Sequence, residues 1–94
     1  MPFMDPLQAL AEPHRRRILG LVWDRELSAS EIADRFESTF GAVSQHLAIL
    51  REARLVTMRK EGNRRFYQAD RAALEEMWRE ALRSLAATID EAGR

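Results

Sequence analysis

The chain has no cysteine, which removes disulfides, thiolate metal sites and thiol redox sensing together. It also lacks long apolar runs. Nothing approaches the roughly 20 apolar residues that span a bilayer, and MPFMDPLQAL opens without a basic segment leading into an apolar one. A cytoplasmic protein with no membrane association is the expectation. No glycine-rich phosphate loop, no nucleophile paired with a base and no carboxylate pair in an apolar setting is evident, so an enzyme is not expected and no cofactor is implied. Internal repeats, low-complexity tracts and Gly/Ser linkers are missing as well, and the 94 residues read as one domain covering 1–94. So small a domain is marginal as a monomer, which favours burial against a partner subunit.

The formal net charge is zero, but its distribution is uneven. Residues 51–71 carry seven basic side chains (Arg51, Arg54, Arg59, Lys60, Arg64, Arg65, Arg71) against three acidic ones, while the segments on either side are net acidic. A basic segment in an acidic remainder marks a place for an anion, although scattered charges can also simply solvate a surface.

The periodicities are mostly helical. Asp5 before Pro6 supplies an N-cap and a first-turn proline for a short helix with Leu7, Leu10 and Ala11 on its apolar face. Pro13 ends or kinks it and can open a second helix with Ile18, Leu19, Val22 and Trp23 facing a core. The string SASE, Ser28 to Glu31, has the capping-box spacing and starts a helix with Ile32, Ala33 and Phe36 inward. Thr39 can cap a further helix to about Ala53, with Val43, Leu47 and Leu50 on one stripe. Two short helices across a tight turn, the second amphipathic, form a helix-turn-helix over 28–53. Two β-prone runs follow, Leu55–Arg59 and Arg65–Ala69, and Gly62-Asn63 offers the positive φ angles of a hairpin loop. This is a wing over 55–69. Asp70 then caps a long helix with Leu74, Trp78, Ala81, Leu82, Leu85 and Ile89 at helical spacing and Met77 beside them. The predicted fold class is mainly α with a small β-hairpin, a winged helix-turn-helix that dimerises through its N- and C-terminal helices (1–12 and 71–94). One core does not need so much apolar face; a second copy would cover it.

The strings LQALAEPHRRRIL, LSASEIADRF, AVSQHLAILREARLV and MRKEGNRRFYQ, in this order and spacing, resemble the ArsR/SmtB-type winged-helix repressors over roughly residues 5–70. The resemblance implies a homodimer on a near-palindromic double-stranded DNA operator, with the recognition helix in the major groove and the wing beside the minor groove or backbone. It departs from the family at three places. Phe40-Gly41 stands where members often carry Arg-Pro, and Ser38 stands where an apolar residue is common. Arg54 replaces a favoured glycine, so it either takes a left-handed cap at some cost or the helix ends differently.

On a helix with Val43, Leu47 and Leu50 buried, the opposite face shows Phe40, Gly41, Ser44, Gln45, Ala48 and Arg51. Gln45 can pair with an adenine edge, Ser44 with either partner, and Phe40 can meet a thymine methyl; the plainer alternative is a solvated helix face. The expected DNA-binding set is Thr39, Phe40, Ser44, Gln45, His46, Arg51, Arg59, Lys60, Arg64 and Arg65. Within it, His46 lies near the buried stripe and serves equally as a packing residue. The wing cations can also protect an edge strand. Arg15, Arg16 and Arg17 sit at the positive end of a helix, which calls for partners such as Glu12 or a phosphate, and at most one is expected at DNA. The expected dimer interface is Leu7, Leu10, Leu74, Met77, Trp78, Leu82, Leu85 and Ile89. Trp78 and Met77 also suit a small organic inducer, although such a stripe is more often plain core.

Metal sites in the family draw on cysteine pairs in the helix before the turn or on histidines and carboxylates of the terminal helix. Here the first region reads Glu31-Ile32-Ala33-Asp34-Arg35, and the terminal helix has no histidine. With His14 and His46 the only histidines, no metal site is expected. A winged-helix module that binds an acidic protein instead of DNA is the alternative function.

Overall fold

The computed structural model describes residues 5 to 93. Five helices and three strands follow one another: α1 (Pro6–Ala11), α2 (Pro13–Leu21), β1 (Leu27–Ser28), α3 (Ala29–Ala33), α4 (Phe40–Glu52), β2 (Val56–Glu61), β3 (Arg64–Ala69) and α5 (Arg71–Ala92). The architecture is a winged helix-turn-helix.

Each helix begins where a side chain satisfies orphan backbone donors. Asp5 accepts from Leu7 N–H at 2.9 Å, Thr39 from Ala42 N–H at 3.1 Å and Asp70 from Ala73 N–H at 3.0 Å. The Ser28–Glu31 capping box is complete in both directions, at 2.9 and 3.1 Å. Glu12 caps α2 by accepting from Arg15 N–H at 3.0 Å, a role its sequence context did not announce. Each cap contributes about 1 kcal/mol.

Arg54 answers the question of how α4 ends. Its φ is 62°, and Leu55 N–H reaches Leu50 O at 2.9 Å while Arg54 N–H reaches Arg51 O at 3.0 Å. These two bonds are the Schellman pattern usually closed by glycine. An arginine there costs roughly 1 kcal/mol in left-handed strain.

The sheet has three strands in the order β1-β3-β2, all antiparallel. Two residues of β1 escape sequence reading because no alternation can show in so short a run. Pairing extends to Glu61↔Arg64, so the strands are longer than expected and the loop is only Gly62-Asn63. Only Gly62 has positive φ, at 61°; Asn63 does not, contrary to expectation. Glycine in the first of two loop positions matches a type II′ turn.

One buried cluster draws on every element: Ala9, Ile18 and Leu19, Leu27, Ile32, Val43, Leu47 and Leu50, Val56, Tyr67 and Ala69, and Leu74. Register puts Tyr67 inward and leaves Phe66 half-buried, which settles a choice the sequence left open. The apolar face of α1 is divided, and the inward expectation for Trp23 is corrected. The first helix reaches the core through Ala9 and half-buried Leu10, with Leu7 and Ala11 outside. Trp23 lies beyond the α2 C-cap at Val22 and is exposed, with the Arg71 guanidinium stacked 4.9 Å from its ring centre.

Helix α5 leaves this body. Leu74 is its one fully buried residue, and the molecule measures 56 × 27 × 24 Å with a radius of gyration of 15.4 Å. A compact chain of this length would have about 12 Å. No helix among the described residues is long and apolar enough to cross a membrane.

Candidate nucleic-acid interface

Helix α4 buries Val43, Leu47 and Leu50 and turns Phe40, Ser44, Gln45, Ala48 and Arg51 to solvent, as its 3.6-residue period requires. Thr39 is both exposed and committed to its cap. The wing stands beside this face. A groove between them is lined by Ser28, Ser30, Phe40, Ser44, Asn63, Arg64 and Arg65, and its continuation by Ser44, Ala48, Arg51, Glu52 and Arg65. Arg65 borders both, so the wing and the helix face form one surface. Ser28, Ser30 and Asn63, read from the sequence only as cap and turn positions, are absent from the expected DNA-binding set because only β1–β3 pairing and the tight turn bring them there.

The basic residues of the wing divide by what holds them. Arg59 grips Glu26 through two bonds at 3.0 and 3.1 Å, pairs with Glu61 at 2.6 Å and lies 4.7 Å from the centre of the Phe66 ring. Its hydrogen bonds hold the Glu26 carboxyl below the usual range, and the two carboxylates raise the Arg59 guanidinium above its own. Arg59 therefore ties the wing to the segment before β1, and a phosphate meeting it would have to displace two carboxylates. Arg64 is held loosely, 3.8 Å from Glu31 and 5.0 Å from the Phe66 centre. Among the described residues, Arg51, Lys60 and Arg65 make no ion pair and are exposed.

His46 does not share the outer face. Its half-buried ring stacks on His14 with centres 5.6 Å apart and planes 6° apart, and its Nδ1 accepts from Arg15 Nη1 at 3.3 Å. The packing alternative is the one the geometry supports. His14 Nδ1 in turn donates to Glu12 Oε1 at 2.9 Å, which lowers the Glu12 carboxyl below its ordinary value. Two histidines expected to lack a ligand partner are thus gathered with Glu12, although 32 residues separate His14 from His46.

The three arginines of α2 find backbone carbonyls. Buried Arg15 donates to Ala9 O at 2.7 Å and Gln8 O at 3.3 Å. Arg16 donates to Leu10 O at 2.7 Å, and Arg17 to Arg35 O at 2.8 Å while lying over Phe36. Cations near the C-terminal carbonyls of α1 are favoured by the same dipole logic that disfavours them at the start of α2.

On α5, Trp78, Leu82, Leu85 and Ile89 are each more than half exposed and follow one another at spacings of four, three and four. Leu7 is exposed, while Leu10 and Met77 are half-buried against the protomer's own core. Leu74 is 6% exposed within a single chain; it anchors α5 to its own body.

The family model of bacterial regulatory proteins of the arsR family matches residues 12–58. The chain is similar to the HTH-type transcriptional regulator Rv2034 of Mycobacterium tuberculosis, with 40% identity over 93 residues, 92% of this chain and 87% of that protein. It is 46% identical over 61 residues to the transcriptional activator HlyU of Vibrio cholerae, a match spanning 65% of this chain and 56% of that protein. A solved structure of a possible transcriptional regulator for arsenical resistance superposes with a TM-score of 0.78 at 39% identity, covering 87% of this chain and 84% of that one.

Proposed function

The chain belongs to the ArsR family of bacterial regulatory proteins and is a DNA-binding transcriptional regulator, not an enzyme, and on that premise we propose that it is a homodimeric repressor that reads a near-palindromic operator in the cytoplasm. The observation that carries the reading is the continuous surface in which Ser44, Ala48 and Arg51 of α4 meet Arg65 of the wing. Its polar, exposed helix face is of the width a major groove admits, and its unpaired cations lie where a flanking backbone would run.

In this reading Gln45 and Ser44 meet base edges, Phe40 a thymine methyl, and Thr39 and Arg51 the backbone. Arg65, Lys60 and, after leaving Glu31, Arg64 meet phosphates along the wing. Residues 28–53 act as the helix-turn-helix, 55–69 as the wing, and the end segments 1–12 and 71–94 dimerise. The α5 stripe of Trp78, Leu82, Leu85 and Ile89 supports dimerisation, since its spacing is that of a two-helix seam; Leu7 lines a groove with Met77 and Ala81 of the same helix. Repression is favoured because each exposed large apolar side chain among the described residues, Trp23 apart, already lies on the reading face or the dimer face. That leaves little surface to recruit a polymerase.

Titrating random duplex DNA at low and raised salt tests the reading. Steep salt dependence, flattened in Arg65→Ala and kept in Gln45→Ala, is the expected result. Absence of binding at low salt would shift the reading to the acidic-protein alternative.

A further inference from the structure

We propose that Glu12, His14 and His46 form a binding site for a divalent transition-metal ion of the zinc class, which would clamp the α1–α2 corner to helix α4. The site lies neither in the helix before the turn nor along the terminal helix, the two places the family resemblance suggests.

Two imidazoles and a carboxylate suit zinc, cobalt(II) and nickel(II), and three protein ligands plus water make an open site. Each residue offers a ligand atom, and the three atoms lie within 4.8 Å of one another. His14 Nδ1 is 2.9 Å from Glu12 Oε1, and His46 Nδ1 is 3.9 Å from Glu12 Oε2. Ligand atoms bound tetrahedrally at 2.0–2.1 Å stand about 3.3 Å apart; the two histidines meet different oxygens of Glu12, so one oxygen must turn to serve both and the three ligand atoms must draw in from a spread of up to 4.8 Å. The metal takes the place of the proton that His14 and Glu12 share: in a neutral ring that proton moves from Nδ1 to Nε2, and a ring that is imidazolium releases one proton to water.

Two features oppose the ion, and both yield. The rings stack nearly parallel, so their lone pairs do not yet converge; His14 is exposed, so its ring can turn once its bond to Glu12 gives way to the metal. Arg15 donates to His46 Nδ1, which the metal needs. On losing that bond, Arg15 keeps Ala9 O and Gln8 O, so its guanidinium is not orphaned. A cation that stays nearby makes the site weaker than a structural four-ligand site.

The test is a zinc titration of the full-length protein, read by NMR of the two imidazoles and by calorimetry, with His14→Ala and Glu12→Gln beside the wild type. The glutamine keeps an oxygen for the α2 cap. One ion per protomer, both imidazoles shifting together, and affinity at least about tenfold weaker in each variant is the expected result. Imidazoles that stay unmoved at saturating zinc, or equal binding by His14→Ala and wild type, would overturn the proposal. The imidazole signals of the wild type decide the matter even where a variant folds poorly, and they do not depend on DNA binding.

Discussion

The wing–α4 end of the molecule and the outer two-thirds of α5 are built on opposite terms. At the wing, the frame is held within one chain while Lys60 and Arg65 stay unpaired among the described residues: Tyr67 is buried, Phe66 meets two guanidinium groups, and Arg59 is locked to Glu26 and Glu61. Along α5, pairs such as Arg83 with Glu80 and Glu76 decorate the polar side, while the apolar side faces water through four large residues in a row. The first region is finished by its own chain and presents a fixed shape. The second is unfinished, which is why the proposed dimer seam is placed there.

Breaking the unfinished region should give the largest effect. Leu82→Glu would bury a charge in the proposed seam, at about 3–5 kcal/mol per site. Sedimentation should then report single protomers, and operator affinity should fall by two orders of magnitude or more; an unchanged dimer would end the contrast drawn here. Removing Arg15 attacks the finished region from inside. Arg15→Ala strips the α1 carbonyls of their buried partner and should lower stability by about 2–3 kcal/mol, seen as a fall in Tm, whereas a mere DNA contact would leave Tm alone.

Within the wing, the comparison sharpens between two arginines. Arg65→Ala should weaken DNA binding and flatten the salt dependence by about one unit of slope. Arg59→Ala should lower Tm and alter the salt slope less, because its charge is already engaged. Relief of strain at the helix end is smaller still: Arg54→Gly should raise stability by up to about 1 kcal/mol, with DNA affinity unchanged. The smallest effect concerns pH. Because Arg59 lowers the folded-state pKa of Glu26, the pair stabilises above the unfolded carboxyl value and loses that contribution as pH falls through the folded one. Glu26→Gln should therefore melt slightly below wild type at neutral pH, and the gap should close in acid.

What the sequence made legible was local. Asp5, Ser28, Thr39 and Asp70 each stand one residue before a helical pattern, and each caps that helix. The stripe Val43, Leu47 and Leu50 fixed which side of α4 faces out, and with it the candidate reading face. What stayed hidden depended on distance along the chain. Arg59 meets Glu26 across 33 residues, and Arg15 meets His46 across 31; no spacing rule reports such pairs. Leu74 and Leu82 look alike in the periodic pattern, yet only Leu74 lies close enough to the body to be buried. Trp23 fits the helical period of Ile18, Leu19 and Val22, but it falls two residues past the last helical residue, Leu21, and the turn there carries it outward.

The most direct test of a homodimer that reads DNA through α4 is selection of binding sites from a random duplex library with wild-type protein and with Gln45→Ala. The account predicts a two-fold symmetric site whose half-sites are centred about 34–36 Å apart, occupied by two protomers, and a blurred preference at one symmetric position in the variant. A site without symmetry, or one whose preference Gln45→Ala leaves intact, would contradict it.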